Sequence, residues 1–204
     1  TAVTQLGWLR NGEYAPVMIA EAKGYFKEEG IDHKIVDGGP GKNPIPIVAV
    51  GQAQFGLATN GMTIITARLA KDPIDIVAVG TLFQQAPASY LTITAPDAPP
   101  TVKGKGWRAI RLSDFGVRTY TDAIFTSGET LKKNPELVRR YLRAGQQGMQ
   151  YVIDNPDESV EILAKFPGQV EDARKLAWRF KLQNPLFQSD YAKKNGLLSM
   201  EQEV

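Results

Sequence analysis

Four side chains near the start of the chain form the strongest candidate for a binding site. Trp8, Asn11, Glu13 and Tyr14 fall within seven residues, at the end of a predicted first strand. Two aromatic rings could hold a flat heterocycle between them, while the amide and the carboxylate hydrogen-bond to its edge. An equally supported interpretation makes Trp8 and Tyr14 core residues and Glu13 the partner of a helix dipole.

Further candidates follow later strand-like segments. The glycine-rich turn at residues 38–41 lacks the spacing of a phosphate-binding or dinucleotide-binding loop, so the pattern alone favours an ordinary turn. Each of the others could also serve only as a helix cap or a turn residue. These candidate ligand-binding residues are Gly39, Asn43, Thr59, Asn60, Gln84 and Gln85.

The composition excludes several kinds of catalytic and metal site. Cysteine is absent, and the only histidine is His33, within a predicted strand where we expect it to be solvated. No Ser-His-Asp set and no cysteine-based or histidine-based metal site can be assembled from these residues. We therefore expect no catalytic residue, no metal and no cofactor.

The charge balance argues against polyanionic partners. The net charge is +2, from 24 basic and 22 acidic residues, so no strong field for nucleic acid or anionic membrane is expected. No segment approaches the roughly 18 apolar residues of a membrane helix. The chain starts with Thr1 instead of Met, which is a weak indication of a removed leader and of export.

Alternating strands and helices must position the candidate residues. Apolar content and turn residues predict four strands and three helices in the first half; the strands are Val3–Leu9, Ile31–Val36, Phe55–Thr59 and Ile74–Val79, and the helices span 14–29, 43–50 and 60–69. This alternation predicts a parallel sheet covered by helices. Right-handed crossovers then place the strand-to-helix loops on one edge, where open α/β sheets bind ligands.

The second half begins after a linker-like stretch. A strand at 90–94 precedes the proline-rich and glycine-rich residues 96–106, where we predict a boundary, and a short strand follows at 108–112. Residues 113–126 mix turn residues with apolar ones and give no clear element. Asn-Pro pairs at 134 and 155 predict the starts of two amphipathic helices, and a third spans 170–182.

Several segments resemble the substrate-binding proteins of ABC importers. They are GYFKEEGID, GGPGKNPI, VAVGQAQFGLAT, FQQAP and YTDAIFTSGETLKKNPELVRRYLRA. The resemblance covers residues 3–100 and 107–185. The branch that the chain resembles handles thiamine-precursor pyrimidines, nitrate and alkyl sulfonates, with riboflavin binders as relatives.

The resemblance implies a fold, a partner and a location. Such proteins have two α/β lobes of the type II periplasmic-binding-protein kind, which close over a solute and deliver it to a membrane permease. They are periplasmic or extracellular and often lipid-anchored to the cytoplasmic membrane. In pyrimidine-binding members, aromatic and acidic residues after the first strand hold the ring. The positions that match are Trp8, Asn11, Glu13 and Tyr14, with Asn43, Thr59, Asn60, Gln84 and Gln85 on later loops and Tyr120 and Asp122 near the return crossing.

One departure from the family pattern changes the expected architecture. Most of the second lobe normally lies between the proline-rich crossing and the segment WRAIRLSDFG, where this chain has only residues 101–106. We therefore predict essentially one α/β lobe with a parallel-rich sheet flanked by helices. Residues 1–98 form its first part, 99–106 the crossing, and 107–204 the return strand and the C-terminal helices. A lone lobe should bind solute weakly and could self-associate through its exposed cleft face.

Four functions follow from these interpretations. The preferred one is the solute-binding component of an importer for a small aromatic heterocycle such as a thiamine-precursor pyrimidine. The alternative is binding of nitrate, an alkyl sulfonate or riboflavin. For the two oxyanions, the ligands would be Arg10, Lys42 and helix N-termini. An enzyme resembling the pyrimidine-forming protein of fungal thiamine synthesis is disfavoured, because that enzyme consumes its own histidine and needs a cysteine-rich iron site. The fourth is a natural or engineered single-lobe fragment with little binding.

Overall fold

The computed structural model describes residues 1–87, 89–93, 107–116 and 119–201, with the side chains of 89–93 and 107–113 left out. The predicted crossing at 99–106 lies outside the described residues. Seven strands are present in the described part: β1 (Ala2–Gln5), β2 (His33–Val36), β3 (Phe55–Ala58), β4 (Ile76–Phe83), β5 (Ser89–Ile93), β6 (Trp107–Arg111) and β7 (Thr121–Ser127).

Helices connect and cover these strands. Within the described ranges they are α1 (Ala15–Ala22), α2 (Tyr25–Glu28), α3 (Pro44–Ala49), α4 (Met62–Arg68), α5 (Gly128–Lys133), α6 (Pro135–Asp154), α7 (Pro156–Ala164), α8 (Ala173–Gln183) and α9 (Asp190–Asn195), with short 3-10 turns at Gly12–Tyr14, Leu112–Phe115 and Asn184–Phe187. None of the described helices combines the length and the apolar character that a membrane crossing requires.

The main sheet is mostly parallel, as predicted, but one central strand runs the other way. Its order is β2-β1-β3-β7-β4. Strand β1 pairs parallel with β2 and β3, whereas β7 pairs antiparallel with both β3 and β4. The carboxyl ends of β1 to β4 and the amino end of β7 therefore share one edge, called here the carboxyl edge. Strands β5 and β6 form a separate antiparallel pair.

Local sequence signals explain most helix boundaries. The side chains of Asn43 and Asn134 accept hydrogen bonds from the first turns of α3 and α6, each followed by proline at the first helical position. The predicted helix at 14–29 is divided in two, because Gly24 adopts a left-handed conformation with φ of 80°. That residue ends α1 and turns the chain into α2.

Two hydrophobic cores lie on opposite faces of the sheet. Along β3, Phe55 and Leu57 belong to the core beneath α1 and α6, whereas Ala58 belongs to the core beneath α3 and α4. This division follows from the two-residue period of a strand. On the first face, the ring of Tyr141 from α6 stacks on Phe55 with ring centroids 3.7 Å apart. The C-terminal helices thus complete the same core as the N-terminal strands.

The prediction that His33 is solvated was wrong. His33 is buried, and its ring stacks on Phe26 with centroids 3.8 Å apart. One ring nitrogen lies 2.8 Å from the Thr4 hydroxyl, and the other lies 2.6 Å from a carboxylate oxygen of Glu21. The sequence missed this because α2 folds back over the start of β2. His33 therefore lies at the edge of the sheet opposite the carboxyl edge.

Candidate functional site

Two clefts lie along the carboxyl edge. The larger, called the main cleft, has a volume of about 520 Å³, and the smaller, called the side cleft, about 370 Å³. Thr59 lines both of them. The main cleft is lined by Trp8, Asn11, Glu13, Thr59, Val170, Glu171, Lys175 and Arg179; the side cleft by Gly7, Gly41, Lys42, Asn43, Pro44, Ala58, Thr59, Asn60 and Thr63.

Trp8 presents its indole at the main cleft. The residue is 44% exposed, in the loop that follows β1. The backbone of this loop is supported by the glycine-rich turn, whose Gly38 amide donates to the Trp8 carbonyl oxygen at 3.0 Å. A side chain at position 38 would overlap the backbone of residues 6–8, so only glycine fits at this position of the turn. Gly39 lies in the same turn, with φ of 138°. The turn thus positions the Trp8 loop.

Asn11 and Glu13 lie together at the floor of the main cleft. Asn11 caps the 3-10 turn, because its Oδ1 accepts from the Glu13 amide at 2.7 Å. Its Nδ2 also lies 3.4 Å from Glu13 Oε2. Asn11 is buried, whereas the Glu13 side chain keeps 28% of its surface exposed. Asn11 therefore orients a carboxylate that can still reach a solute.

The predicted sandwich between Trp8 and Tyr14 needs correction. Tyr14 is fully buried in the core beneath α1, so its ring does not face the cleft. Burial raises the pKa of its phenol above the usual range, with the nearby Asp122 carboxyl adding to the rise. Among the described residues that line the main cleft, Trp8 is therefore the one aromatic side chain that can stack on a bound ring.

Asp122, at the start of β7, is the most unusual residue beside the cleft. It is 3% exposed, and it adopts a left-handed conformation with φ of 52°, which is rare for a residue other than glycine. Its Oδ1 has no hydrogen-bond partner in the described part of the chain. Burial, and then the negative charge of Glu13, raise the pKa of the Asp122 carboxyl well above its usual range, against a smaller opposing effect of Arg179. Asp122 therefore keeps its proton to a higher pH than an exposed aspartate does.

Sequence reasoning missed the C-terminal part of the cleft. Glu171 is 5% exposed and forms a charged pair with Arg179, whose nitrogens lie 2.6 and 3.0 Å from its two carboxylate oxygens. Lys175 lies 3.4 Å from Glu171, and Arg179 also lies 3.6 Å from Glu13. Two carboxylates thus face two cations. Glu171, Lys175 and Arg179 are spaced four residues apart, as on one helix face. The sequence does not indicate which strand end that face covers.

The charge on Glu171 is retained despite its burial. Burial alone would raise the pKa of this carboxyl, but hydrogen bonds from Arg179 and from the Gly12 amide outweigh that effect and lower the pKa below its usual range. A buried carboxylate with such partners is stable only as part of the pair. The main cleft therefore contains matched charges and no excess positive charge.

The remaining predicted residues divide into two groups. Asn43, Thr59 and Asn60 line the side cleft, where the two asparagines also cap α3 and α4. The amide of Gln84 is fully used, because it donates to the carbonyls of residues 197 and 199 and accepts from Ser189. The Tyr120 hydroxyl accepts from the amide of residue 201, and Gln85 is exposed. Gln84 and Tyr120 therefore bind the C-terminal segment in this structure.

Sequence comparison connects the chain to one family. The family profile described as "NMT1/THI5 like" matches residues 11–97 and 98–159. A relative from Legionella pneumophila, named 4-amino-5-hydroxymethyl-2-methylpyrimidine phosphate synthase, is 21% identical over 234 residues, which cover 81% of this chain and 73% of the relative. That alignment is longer than the 204-residue chain, so it contains gaps opposite residues that this chain lacks.

Solved structures with a similar fold include binding proteins. The periplasmic aliphatic sulphonate binding protein SsuA of Escherichia coli has a TM-score of 0.64 and 12% identity, covering 91% of this chain and 80% of that one. The nitrate-binding protein NrtA of Synechocystis PCC 6803 has a TM-score of 0.55 and 11% identity, covering 80% and 65%. Candida albicans CA3427, described as having the generic periplasmic binding protein fold, has a TM-score of 0.53 and 13% identity, covering 99% and 98%. At these identities the similarity shows the fold alone, which is that of periplasmic binding proteins.

Proposed function

Because the chain belongs to the NMT1/THI5-like family, we propose that it is the solute-binding component of an ABC importer. Its fold is shared with proteins named for binding sulphonates and nitrate. A permease in the membrane would be the protein partner, and nucleic acid would not be one. The protein would act on the outer side of the cytoplasmic membrane, in the periplasm or outside the cell, as lipid-anchored members of the family do.

The proposed solute is a small, flat heterocycle with an amino group on its edge. One observation carries this proposal: the exposed indole of Trp8 and the carboxylate of Glu13 line the same cleft. The indole offers an apolar face for stacking, and the carboxylate accepts hydrogen bonds from ring or amino donors. The relative named for an aminopyrimidine product supports this class. Riboflavin would need the side cleft as well, because its ring system and chain are longer.

Small oxyanions fit the main cleft less well. Arg10, an expected anion ligand, is bound elsewhere: its Nε lies 2.9 Å from Asp37 Oδ1, and its other nitrogens donate to the carbonyls of residues 35 and 167. Arg179 is paired with Glu171. An anion in the main cleft would therefore face the carboxylates of Glu13 and Glu171, while the guanidinium of Arg179 is already paired with one of them. Lys42 in the side cleft remains available to a charged substituent.

Enzymatic function is not proposed, although one relative is named as a synthase. The pyrimidine-forming enzyme of fungal thiamine synthesis consumes its own histidine. Here, the single histidine, His33, is buried at the opposite edge of the sheet and bonded to Thr4 and Glu21. It does not line the main cleft. The chain also has no cysteine for an iron site.

We propose that residues 1–98 and 107–204 form one lobe, joined at 99–106, and that most of the second lobe is absent. The pairing of β7 with β3 and β4 supports this, because it places the second half of the chain inside the sheet of the first half. The alignment gaps opposite the Legionella pneumophila relative also support it. The cleft would then have one protein face, open to solvent or to a second copy of the chain.

Weak binding is the first expected result. Titration calorimetry with 4-amino-5-hydroxymethyl-2-methylpyrimidine should give a dissociation constant in the micromolar range or weaker, on the order of 1 μM to 1 mM, because one side of the solute stays solvated. Analytical ultracentrifugation in parallel would detect self-association through the cleft face. A submicromolar constant for the monomer would contradict the one-lobe interpretation.

Trp8→Ala tests the proposed site directly. Stacking of a base on an aromatic side chain contributes roughly 1 to 3 kcal/mol, so the affinity for the same pyrimidine should fall about 5- to 160-fold, measured by NMR titration. Trp178→Ala is the matched control, since Trp178 is 65% exposed on α8 and does not line the described clefts. Equal affinities of the Trp8 variant and the parent protein would remove Trp8 from the site.

A further inference from the structure

Two residues near the start and the end of α8 hold the loop that carries Asn11 and Glu13, one on each side of the Gly12 peptide. The Gly12 amide donates to Glu171 Oε2 at 2.8 Å, and the Gly12 carbonyl oxygen accepts from Gln183 Nε2 at 2.6 Å. Both partners are buried, with 5% and 4% of their surface exposed. The peptide groups of Gly12 are therefore satisfied by residues about 160 and 170 positions further along the chain.

Arg179 closes the third side of this arrangement. A Cβ at position 12 would lie 2.5 Å from the Arg179 Cδ, so the glycine is required where the arginine crosses the loop. The guanidinium then makes its close contacts with Glu171 and its longer contact, 3.6 Å, with Glu13. Arg179 thus contacts both Glu171, which holds the loop, and Glu13, whose carboxylate the loop presents to the cleft.

A second backbone contact extends the same interface. The amide of residue 170 donates to the Arg10 carbonyl oxygen at 3.1 Å, and the Arg10 guanidinium donates to the carbonyl of residue 167 at 2.6 Å. The loop at 10–13 has no regular secondary structure beyond one 3-10 turn. Its conformation therefore depends on these C-terminal contacts as well as on its own hydrogen bonds.

We propose that Glu171, Arg179 and Gln183 are positioning residues of the cleft, which fix the Gly12 peptide and direct the Glu13 carboxylate toward the amino edge of a bound heterocycle. This inference rests on the proposed function for the identity of the solute. Its structural part, the fixing of Gly12, stands without any solute. The specificity for an amino edge over an oxo edge is then determined jointly by Glu13 and by the residues that hold the Glu13 loop in place.

The first experiment needs no solute. Glu171→Met keeps the approximate length of the side chain but removes the acceptor for Gly12, so hydrogen exchange of the Gly12 amide, followed by NMR, should accelerate about 10-fold or more. Glu161→Met is the matched control, because Glu161 is an exposed glutamate on the neighbouring helix α7. Unchanged exchange in the Glu171 variant, with the fold intact by circular dichroism, would overturn the positioning role.

The second experiment measures specificity. The probes are 4-amino-5-hydroxymethyl-2-methylpyrimidine and its 4-oxo counterpart, titrated against Arg179→Met and Arg179→Lys, each alone and combined with Glu13→Gln. Arg179→Met should lower the affinity for the amino probe about 10-fold and leave that for the oxo probe nearly unchanged, with partial recovery in Arg179→Lys. Its effect should disappear in the Glu13→Gln background, because the arginine acts through that carboxylate.

The outcomes separate the inference from the proposed function. Equal losses for both probes, or an undiminished loss in the Glu13→Gln background, would indicate a merely structural arginine and overturn the specificity role. If the parent protein binds neither probe, the proposed function fails, and the exchange of the Gly12 amide still decides the positioning role. Accelerated exchange together with a loss confined to the amino probe would support the inference in full.

Discussion

Gly148→Ala is expected to lower the free energy of unfolding by about 1 to 2 kcal/mol, although glycine-to-alanine changes within helices usually stabilise. A Cβ at Gly148 in α6 would overlap the carbonyl oxygen of Pro16 and lie 2.9 Å from the Cβ of Ala20 in α1. Helices α1 and α6 would have to separate, and overpacking of this kind costs roughly 1 to 3 kcal/mol, in excess of the propensity gain of up to about 1 kcal/mol. Equilibrium unfolding in urea measures the difference.

The same helix contains a matched control. Gly145 lies less than one turn before Gly148, and the nearest atom to a Cβ there is the Leu198 Cδ1 at 3.2 Å, the end of a flexible side chain. Gly145→Ala should therefore be neutral or stabilising. Equal stability of the two variants would mean that α1 and α6 do not approach each other as closely as the structure shows. Because α1 starts directly after the Asn11–Tyr14 turn, that result would also weaken the description of the cleft.

Local signals were sufficient to predict several helix starts and the edge of the sheet on which the strand-to-helix loops lie. Asparagine followed by proline predicted the starts of α3 and α6, and the structure confirms both, because the cap is formed by atoms within three residues of each other. The right-handed crossover rule placed the loops after β1, β2, β3 and β4 on one edge. Thr59 and Asn60 reach the cleft for that reason, and so does Trp8.

The antiparallel strand β7 could not be predicted in the same way. Its residues include threonine, aspartate and serine, which gave the segment at 113–126 the appearance of a loop. In the structure the Thr126 hydroxyl has a partner distant in sequence: it donates to the Gln54 carbonyl oxygen at 2.6 Å. A buried strand can contain hydroxyl groups where neighbouring backbone accepts them, and those neighbours are not visible in a local pattern.

The candidate site shows the same limit. The sequence pattern identified Trp8 and Glu13 as candidate ligand-binding residues, but it selected Tyr14 on the same grounds. Tyr14 is also an aromatic residue that could stack on a ligand, yet it lies in the core. Exposure is decided by which helix covers a position, and therefore by tertiary packing. For the same reason Glu171 and Arg179 remained unnoticed, because their role depends on an approach of two segments about 160 residues apart.

Asp122→Asn is expected to raise the melting temperature, and to raise it more at pH 8 than at pH 4. Asparagine is neutral and tolerates the left-handed conformation that Asp122 adopts, with φ of 52°. Burial, then Glu13, raise the pKa of the native carboxyl. Below about pH 4, the usual pKa of an aspartate in an unfolded chain, both the folded and the unfolded protein carry this proton. Above that pH and below the higher pKa of the folded protein, only the folded protein carries it. The free energy of unfolding therefore falls as the pH rises toward the pKa of the folded protein. The asparagine variant lacks this loss.

Differential scanning calorimetry of the two proteins at both pH values measures the effect. Each kcal/mol of stability gained corresponds to about 2 to 4 °C in melting temperature for a chain of this size. Asp72→Asn is the control, because Asp72 is exposed and should show no such difference between pH 4 and pH 8. The other carboxylates are common to variant and parent, so their titration cancels in the comparison. A melting-temperature gain that does not depend on pH would mean that Asp122 titrates normally, and the acid beside Glu13 would then be a second charged acceptor for the solute.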